Sequence, residues 1–350
     1  MIALFIAGTV AFVLALAGTG WLAAFLRERG RSQPILEVNA DNARVPQHQH
    51  KAGTPTMGGI ALLGAAAIGY LASHVRRGVV FSDQTLVMFV GVALMAGIGL
   101  VDDWLKVRTR QNRGVLWKLK GWITLGVSMG IAGVLVAVTD VSTRLSFTRA
   151  SLPGWELGPV VWTMWAGLII FATTNAVNVT DGLDGLAGGS ALLGFVAFAM
   201  FAFLGFRNGT LYPELVNPYD LAVFAVAFAG ACAGFLWWNA APARIFMGDV
   251  GALGLGSALA LLALTTDTQL LLPLICGINV MEIGSVAVQM GVFKATGGRR
   301  RLFRLSPIHH HFEMAGWPET TVIIRFWIIS GLFVSISVAL FVVDFTRRAD

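Results

Sequence analysis

Five short stretches hold most of the side chains able to manage charge. They are HQHKAGTPTMGG at 48–59, GLVDDWLKVRTRQNRGVLWKLK at 99–120, NAVNVTDGLDGLAGG at 175–189, WNAAPARIFMGDVG at 238–251 and RLSPIHHHFEMAGWPE at 304–319. Asp102 and Asp103 are adjacent, so on a helix their side chains diverge by about 100° and need not share one ligand. Lys106 stands four residues past Asp102 and three past Asp103, the spacings at which helical side chains pair. It reads as a plain salt bridge or, with Arg108, Arg110, Arg113, Lys118 and Lys120 on the same loop, as part of a site for a polyanion. Asp181 and Asp184 are separated by Gly182 and followed by Gly185, a composition suited to a tight turn and close backbone approach. Asn175 and Asn178 precede them at the same spacing and extend a polar stripe; the alternative is that all four cap a span. Asp249 lies between Gly248 and Gly251, where backbone can crowd a ligand. A hard cation such as Mg2+ takes one or two carboxylates together with phosphate oxygens, and on those grounds Asp249 is the leading ligand. The chain has neither a dinucleotide glycine fingerprint nor a Walker lysine.

His309, His310 and His311 are consecutive. Zinc sites space their ligands along the chain, and three in a row do not reach one tetrahedral ion comfortably. An internal run of three is not an expression tag. Beside Arg299, Arg300, Arg301 and Arg304 these rings form a cluster of donors for phosphate or developing charge. The plainer alternative is a basic loop resting on anionic headgroups.

Elements that can position such residues follow from composition. Hydrophobic residues make up 56% of the 350 and charged residues 13%, against about 25% charged in a soluble domain. So few charges do not cover a water-facing surface, and the fold class is an all-α polytopic integral membrane protein. No basic arm interleaved with aromatics argues for nucleic acid. Cys232 and Cys276 lie inside apolar runs and form no disulfide or metal pattern.

A span needs about 20 apolar residues. The hydropathy pattern predicts about ten transmembrane helices, at 2–26, 57–73, 84–101, 120–139, 159–177, 186–206, 220–239, 251–266, 270–292 and 321–344. No positive charge precedes the first run and no clean cleavage site follows it, so it is expected to stay as a span. Of the 25 Lys and Arg, 17 fall on one face of this topology and 7 on the other, with Arg325 at the start of the last span. The positive-inside rule makes the richer face cytoplasmic and leaves both termini outside. All five charged stretches fall on the cytoplasmic face, so the active site is expected there. A carboxylate in hydrocarbon costs about 2.5–3.5 kcal/mol on insertion scales, so Asp102, Asp103, Asp181, Asp184 and Asp249 at span ends are a liability without a function. Residues 140–158 alternate enough for a small hairpin or interfacial segment. Gly126/Gly130 and Gly230/Gly234 are candidate helix contact faces. No linker or repeat divides the chain, so 1–350 reads as a single membrane-embedded domain.

KAGTPTMGG, VDDWLK, NAVNVTDGLDGLAGG, FMGDVG and PIHHHFEMAGWPE closely resemble the motifs of the polyprenyl-phosphate N-acetylhexosamine-1-phosphate transferases. GTPTMGG and PIHHHFE point to the phospho-N-acetylmuramoyl-pentapeptide-transferase family within them. The resemblance runs from about residue 44 to 330. It implies a Mg2+-dependent phosphotransferase in the bacterial inner membrane. The reaction moves phospho-N-acetylmuramoyl-pentapeptide from UDP-N-acetylmuramoyl-pentapeptide to undecaprenyl phosphate, giving lipid I and UMP for peptidoglycan synthesis. It further implies a homodimer among membrane lipids. Asp102, Asp103, Asp249, His309 and Lys51 then carry catalysis, and the metal sits on Asp249, with Asp102 and Asp181 as further candidates. Thr56, Lys106, Lys118, Asn175, Asn178, Asp181, Asp184, Asn239, Phe246, Gln289, His310 and His311 bind substrate, Phe246 by stacking on uracil. Asp102 is either a base for the lipid phosphate or a nucleophile in a two-step route. Two rivals stay open: a sister N-acetylglucosamine-1-phosphate transferase on the same carrier, and a transporter with intramembrane acids.

Overall fold

Helices build almost the whole chain, and each long one is an apolar run from the sequence. The computed structural model describes residues 1–29, 51, 53–75, 80–109 and 114–349. His48, His50, Arg31, Arg44, Arg76, Arg77, Arg110 and Arg113 lie outside the described residues. In chain order the helices are α1 (Ile2–Glu28), α2 (Gly59–His74), α3 (Asp83–Thr109), α4 (Trp117–Val138), α5 (Gly158–Thr180), α6 (Leu186–Arg207), α7 (Pro218–Asn239), α8 (Gly248–Thr265), α9 (Leu272–Ile275), α10 (Gly277–Ala295), α11 (Ile308–Met314) and α12 (Glu319–Ala349). Strands β1 (Arg144–Arg149) and β2 (Leu152–Glu156) pair antiparallel as the expected hairpin. All-α polytopic architecture is therefore the fold class.

Eight of these helices are long and apolar enough to cross a membrane, and α2 is a shorter apolar helix. The expected span 270–292 is not one helix. It breaks at Cys276, where the backbone leaves helical geometry, into α9 and α10. On α10, Asn279, Glu282, Ser285 and Gln289 form a buried polar stripe, which is why hydropathy describes this helix poorly. α3 runs past its expected end at 101 to Thr109, so Asp102, Asp103 and Lys106 ride on its last turns.

α8 is the central post. Every residue from Val250 to Thr265 on it is buried, the signature of a helix enclosed on all sides. α3 and α5 pack along it, with α2 and α6. Two close approaches seat its Asp249 end. A side chain on Gly99 of α3 would collide with the Asp249 and Val250 backbone, and one on Gly59 of α2 with Gly251. The expected Gly230/Gly234 face packs on the α1 backbone at Gly8 and Phe12, whereas Gly126 and Gly130 meet nothing within 4 Å. Ala3, Ala7, Ala11 and Ala15 form the buried stripe of α1, small residues that admit close helix contact without a hydrophobic drive.

The two termini share one end of the bundle. Arg27 near the close of α1 reaches the Arg244 carbonyl beside the Asp249 stretch, while Met1 bonds Tyr219 at the far end. Glu319 opens α12 beside Lys51, and Asp344 near its close meets Arg149 on the hairpin.

Candidate active site

Three helices deliver the charged centre. Asp102 and Asp103 come from the end of α3, Asp249 from the first turn of α8 and Lys120 from the start of α4. One carboxylate oxygen from each of Asp102, Asp103 and Asp249 lies within 4.8 Å of the others. Lys106 Nζ sits 2.7 Å from Asp102 Oδ2, 3.0 Å from Asp249 Oδ2 and 3.9 Å from Asp103 Oδ1. Lys120 bridges the same two acids, 3.3 Å from Asp102 Oδ2 and in close contact with Asp249 Oδ2. The Asp102 Oδ1 accepts from the Val115 amide at 2.7 Å. Asp103 Oδ2 accepts from the Val250 amide at 3.1 Å, which satisfies one free donor at the start of α8. Three carboxylates against two ammoniums leave one negative charge uncompensated. Hard oxygen donors grouped this way fit a Mg2+ ion, and the acids supplied are Asp102, Asp103 and Asp249.

The neighbouring strap is fixed by backbone. Phe246 N–H donates to the Pro55 carbonyl at 2.8 Å, and the Gly58 and Gly59 amides donate to the Phe246 and Met247 carbonyls at 2.9 Å. These bonds join 55–59 to 246–247. Gly248 has a φ of +75°; a side chain there would meet Asp103 Oδ2 and the Thr56 hydroxyl. Lys51, 8% exposed, pairs with Asp184 Oδ1 at 2.8 Å and Glu319 Oε1 at 2.6 Å. Asp184 also accepts from the Ala243 amide at 2.8 Å, while its own amide donates to Glu319 at 3.2 Å. Lys51 thus ties the first motif to the start of α6 and to α12.

Asp181 terminates α5, and the expected tight turn follows it, with Gly185 at a φ of +80°. Burial, with Asp249, Asp103 and Asp184 close by, pushes the Asp181 carboxyl well above its ordinary range; Lys106 pulls the other way. Asp181 stands near the acidic centre without being one of the three acids that converge.

The histidines lie on α11. His309 is fully buried, its Nδ1 2.9 Å from Glu282 Oε2 of α10. A carboxylate only accepts, so Nδ1 carries the proton and donates. The opposite nitrogen, Nε2, has no partner among the described residues. A side chain on Gly182 would strike that nitrogen, so the DGLDG turn passes directly over it. His310 bonds Glu313 at 2.7 Å, and His311 Nδ1 accepts from the Arg304 amide at 3.1 Å.

Other polar atoms of these motifs are buried without a partner among the described residues: Thr56 Oγ1, Asn178 Nδ2, Asn239 Oδ1 and Glu282 Oε1. Most buried polar atoms are paired, so these four are still free to bond a ligand. Asn239 Nδ2 already donates to the Ile245 carbonyl at 2.9 Å. Two expected residues make contacts of a different kind. Gln289 is spent on its own loop, accepting from the Leu302 and Phe303 amides at 3.0 Å and donating to the Phe303 carbonyl at 3.2 Å. Lys118 is exposed, with its ammonium over the Trp117 ring at 5.4 Å. It lines an open groove with Trp122, Phe171 and Asn175, apart from the aspartates. Lys120 was expected only as one cation of a polyanion-binding loop, and Glu282 and Glu319 were not among the expected site residues. A single Glu inside an apolar run is the signal that could have flagged Glu282.

Comparison with known proteins agrees with this geometry. Residues 85–267 match the family Glycosyl transferase family 4, and residues 51–63 match Phospho-N-acetylmuramoyl-pentapeptide-transferase signature 1. A phospho-N-acetylmuramoyl-pentapeptide-transferase of Frankia alni is 40% identical over 359 residues, covering 99% of this chain and 98% of its own length. One of Streptomyces avermitilis is 42% identical over 95% of this chain and 96% of its own. One of Rhodococcus opacus is 43% identical over 84% and 86%. With the signature on the Lys51 strap and full-length likeness on both sides of the aspartate centre, the chain belongs to the phospho-N-acetylmuramoyl-pentapeptide-transferase family.

Proposed function

We propose that this chain transfers phospho-N-acetylmuramoyl-pentapeptide from UDP-N-acetylmuramoyl-pentapeptide to undecaprenyl phosphate, releasing UMP and forming lipid I. The observation that carries the reading is the convergence of Asp102, Asp103 and Asp249 with Lys106 and Lys120 at one end of the bundle. Phosphoryl transfer asks a protein chiefly to position the reactants and balance charge. A Mg2+ ion on Asp102, Asp103 and Asp249 would neutralise charge on the diphosphate.

The chain's own residues do the rest. Lys106 and Lys120 hold the carboxylates between turnovers and can swing to phosphate oxygens when substrate arrives. Thr56, Asn178 and Asn239 offer their unpartnered atoms to the uridine and sugar, and Phe246 offers a ring face. His309, with Nδ1 fixed by Glu282, presents Nε2 beside Gly182, where it can hold a proton or contact phosphate. Both oxygens of Asp102 are already engaged, Oδ1 by the Val115 amide and Oδ2 by two ammoniums. Direct attack by the lipid phosphate is the simpler route, since it needs no covalent aspartate intermediate. The simple phosphate second pKa near 6 leaves the attacking oxygen largely ionised at neutral pH.

The basic loops support a cytoplasmic site in the bacterial inner membrane, with both termini on the other side, and the family resemblance implies a second copy as partner. The test is UMP release from purified protein with undecaprenyl phosphate and either UDP-N-acetylmuramoyl-pentapeptide or UDP-N-acetylglucosamine, with Mg2+ or with EDTA. Release with the first donor only, and only with Mg2+, is expected. Release with the second donor alone would reassign the chain to the sister reaction, and a trapped phospho-Asp102 would overturn direct attack.

A further inference from the structure

At the end of the bundle away from the aspartates lies a second cavity. The tip of the β1–β2 hairpin, residues 211–215 and Asp267 enclose about 250 Å³. α8 separates it from Asp249 by its whole length, so it is no part of the catalytic site. The transfer reaction gives it no role.

Three of its lining residues, Arg149, Tyr212 and Asp267, carry buried polar atoms without partners among the described residues. The Tyr212 hydroxyl and Asp267 Oδ1 belong to residues 4% and 3% exposed, and neither has a hydrogen bond among the described residues. Two guanidinium nitrogens of Arg149, Nε and Nη1, are buried and unpartnered as well. Leaving such groups unsatisfied is unfavourable. They are also held rigidly. Tyr212 stacks nearly parallel on Phe341 and Phe345. Arg149 is anchored through Nη2 to Asp344 at 3.4 Å, and Asp344 in turn accepts from Thr148 at 2.7 Å. Asp267 takes a φ of +53°, an uncommon conformation for a residue with a side chain.

The chemistry is two-sided. Arg144 is matched by Glu156 and Glu214 at 3.1 and 3.0 Å, and Arg149 by Asp344. Asp267 is left without an ion pair of its own among the described residues, with Arg144 acting on it only from a distance. Burial, then the nearby Glu214, pushes its carboxyl well above the ordinary range while Arg144 opposes this, so a positive partner there would be welcome. The free guanidinium edge and the phenol offer donors to an oxyanion. Water alone would satisfy either half, but a rigid donor pair and a rigid acceptor lining one cavity suit one molecule carrying both charges. Trp155 on β2 is 67% exposed, as expected of a hairpin lying at the lipid–water boundary.

We propose that this cavity binds a primary-ammonium zwitterion whose oxyanion meets Arg149 and Tyr212 and whose ammonium meets Asp267, as in an ethanolamine phosphate. The source is either an ethanolamine phospholipid headgroup or the free small molecule.

The experiment is thermal unfolding of the purified full chain titrated with O-phosphoethanolamine, O-phosphocholine, inorganic phosphate or ethanolamine. A parallel arm compares nanodiscs of phosphatidylethanolamine and phosphatidylcholine. A saturable rise in apparent Tm of a few degrees with phosphoethanolamine, or in the ethanolamine nanodiscs alone, is expected. The first result names the free molecule as ligand and the second the lipid. Asp267→Asn and Tyr212→Phe should each weaken the response by about tenfold while UMP release, read at the opposite end, stays at the parent level and certifies folding. An equal response to inorganic phosphate or phosphocholine, or a response indifferent to both variants, would overturn the proposal. No response in any arm would make the cavity a water pocket.

Discussion

Glu282 and His309 meet in complete burial, Oε2 to Nδ1 at 2.9 Å, and this one bond decides which nitrogen His309 shows to the site. With Nδ1–H donated backwards, Nε2 faces the turn at Gly182. Glu282→Gln keeps an acceptor of the same shape and should retain most activity. Glu282→Ala should lower kcat by about 10–100-fold, the range typical of partners that orient a functional histidine, with little change in KM for the nucleotide. Equal loss in both variants would mean that the charge, and not the orientation, is what matters. Unchanged kcat in Glu282→Ala would remove His309 from the chemistry.

Asp249 is the acid of the centre that α8 supplies. Both Lys106 and Lys120 close on its Oδ2. Asp249→Asn removes a negative ligand and leaves two ammoniums facing Asp102 and Asp103 alone. Turnover should fall by at least about 100-fold, as when a preorganised charge partner is lost, and the Mg2+ concentration for half-maximal rate should rise. A variant with parental Mg2+ dependence would take Asp249 out of the metal set.

Lys51 was expected to act on phosphate, and the structure gives it a second task. Its ammonium joins Asp184 and Glu319, from distant parts of the chain. Removing one member of a buried ion pair costs about 3–5 kcal/mol, and the partial exposure of Glu319 places Lys51→Ala at the low end. The variant should lose both activity and thermal stability. Lys51→Met combined with Glu319→Gln should recover part of the stability and none of the activity. Recovery of both would make Lys51 a strut without a chemical role.

Helix existence was legible because apolar runs of span length admit few other structures, and the five motifs announced where charge would gather. Helix rotation was not legible. Lys118 and Lys120 lie two apart, so on α4 they point about 200° apart and only one can face Asp249. Nothing in the loop's composition says which, and the structure selects Lys120. Gln289 shows the same gap. Its amide is complementary to a uracil or to a nearby backbone, and the 302–303 loop reached it first. Glu282 was hidden for a different reason. Reading 270–292 as one span averaged it into a greasy helix, and the break at Cys276 turns the following segment so that this acid faces α11.

Asp181 gives a pH dependence with a definite sign. Its carboxyl is pushed up by burial and by the acids around it, so the folded protein binds this proton more tightly than the unfolded chain does. Such a group favours the fold fully below its unfolded pKa of about 3.9, and that contribution is lost as pH rises toward the folded value. Asparagine at this position is neutral throughout and loses nothing on the same climb. Asp181→Asn should therefore match the parent in apparent Tm near pH 4 and become progressively the more stable of the two as pH rises. The comparison belongs in EDTA, so that Asp102, Asp103 and Asp249 face only Lys106 and Lys120. A variant that instead falls progressively below the parent as pH rises would mean that Asp181 is held ionised by the lysines, and the acidic centre would then extend to a fourth carboxylate.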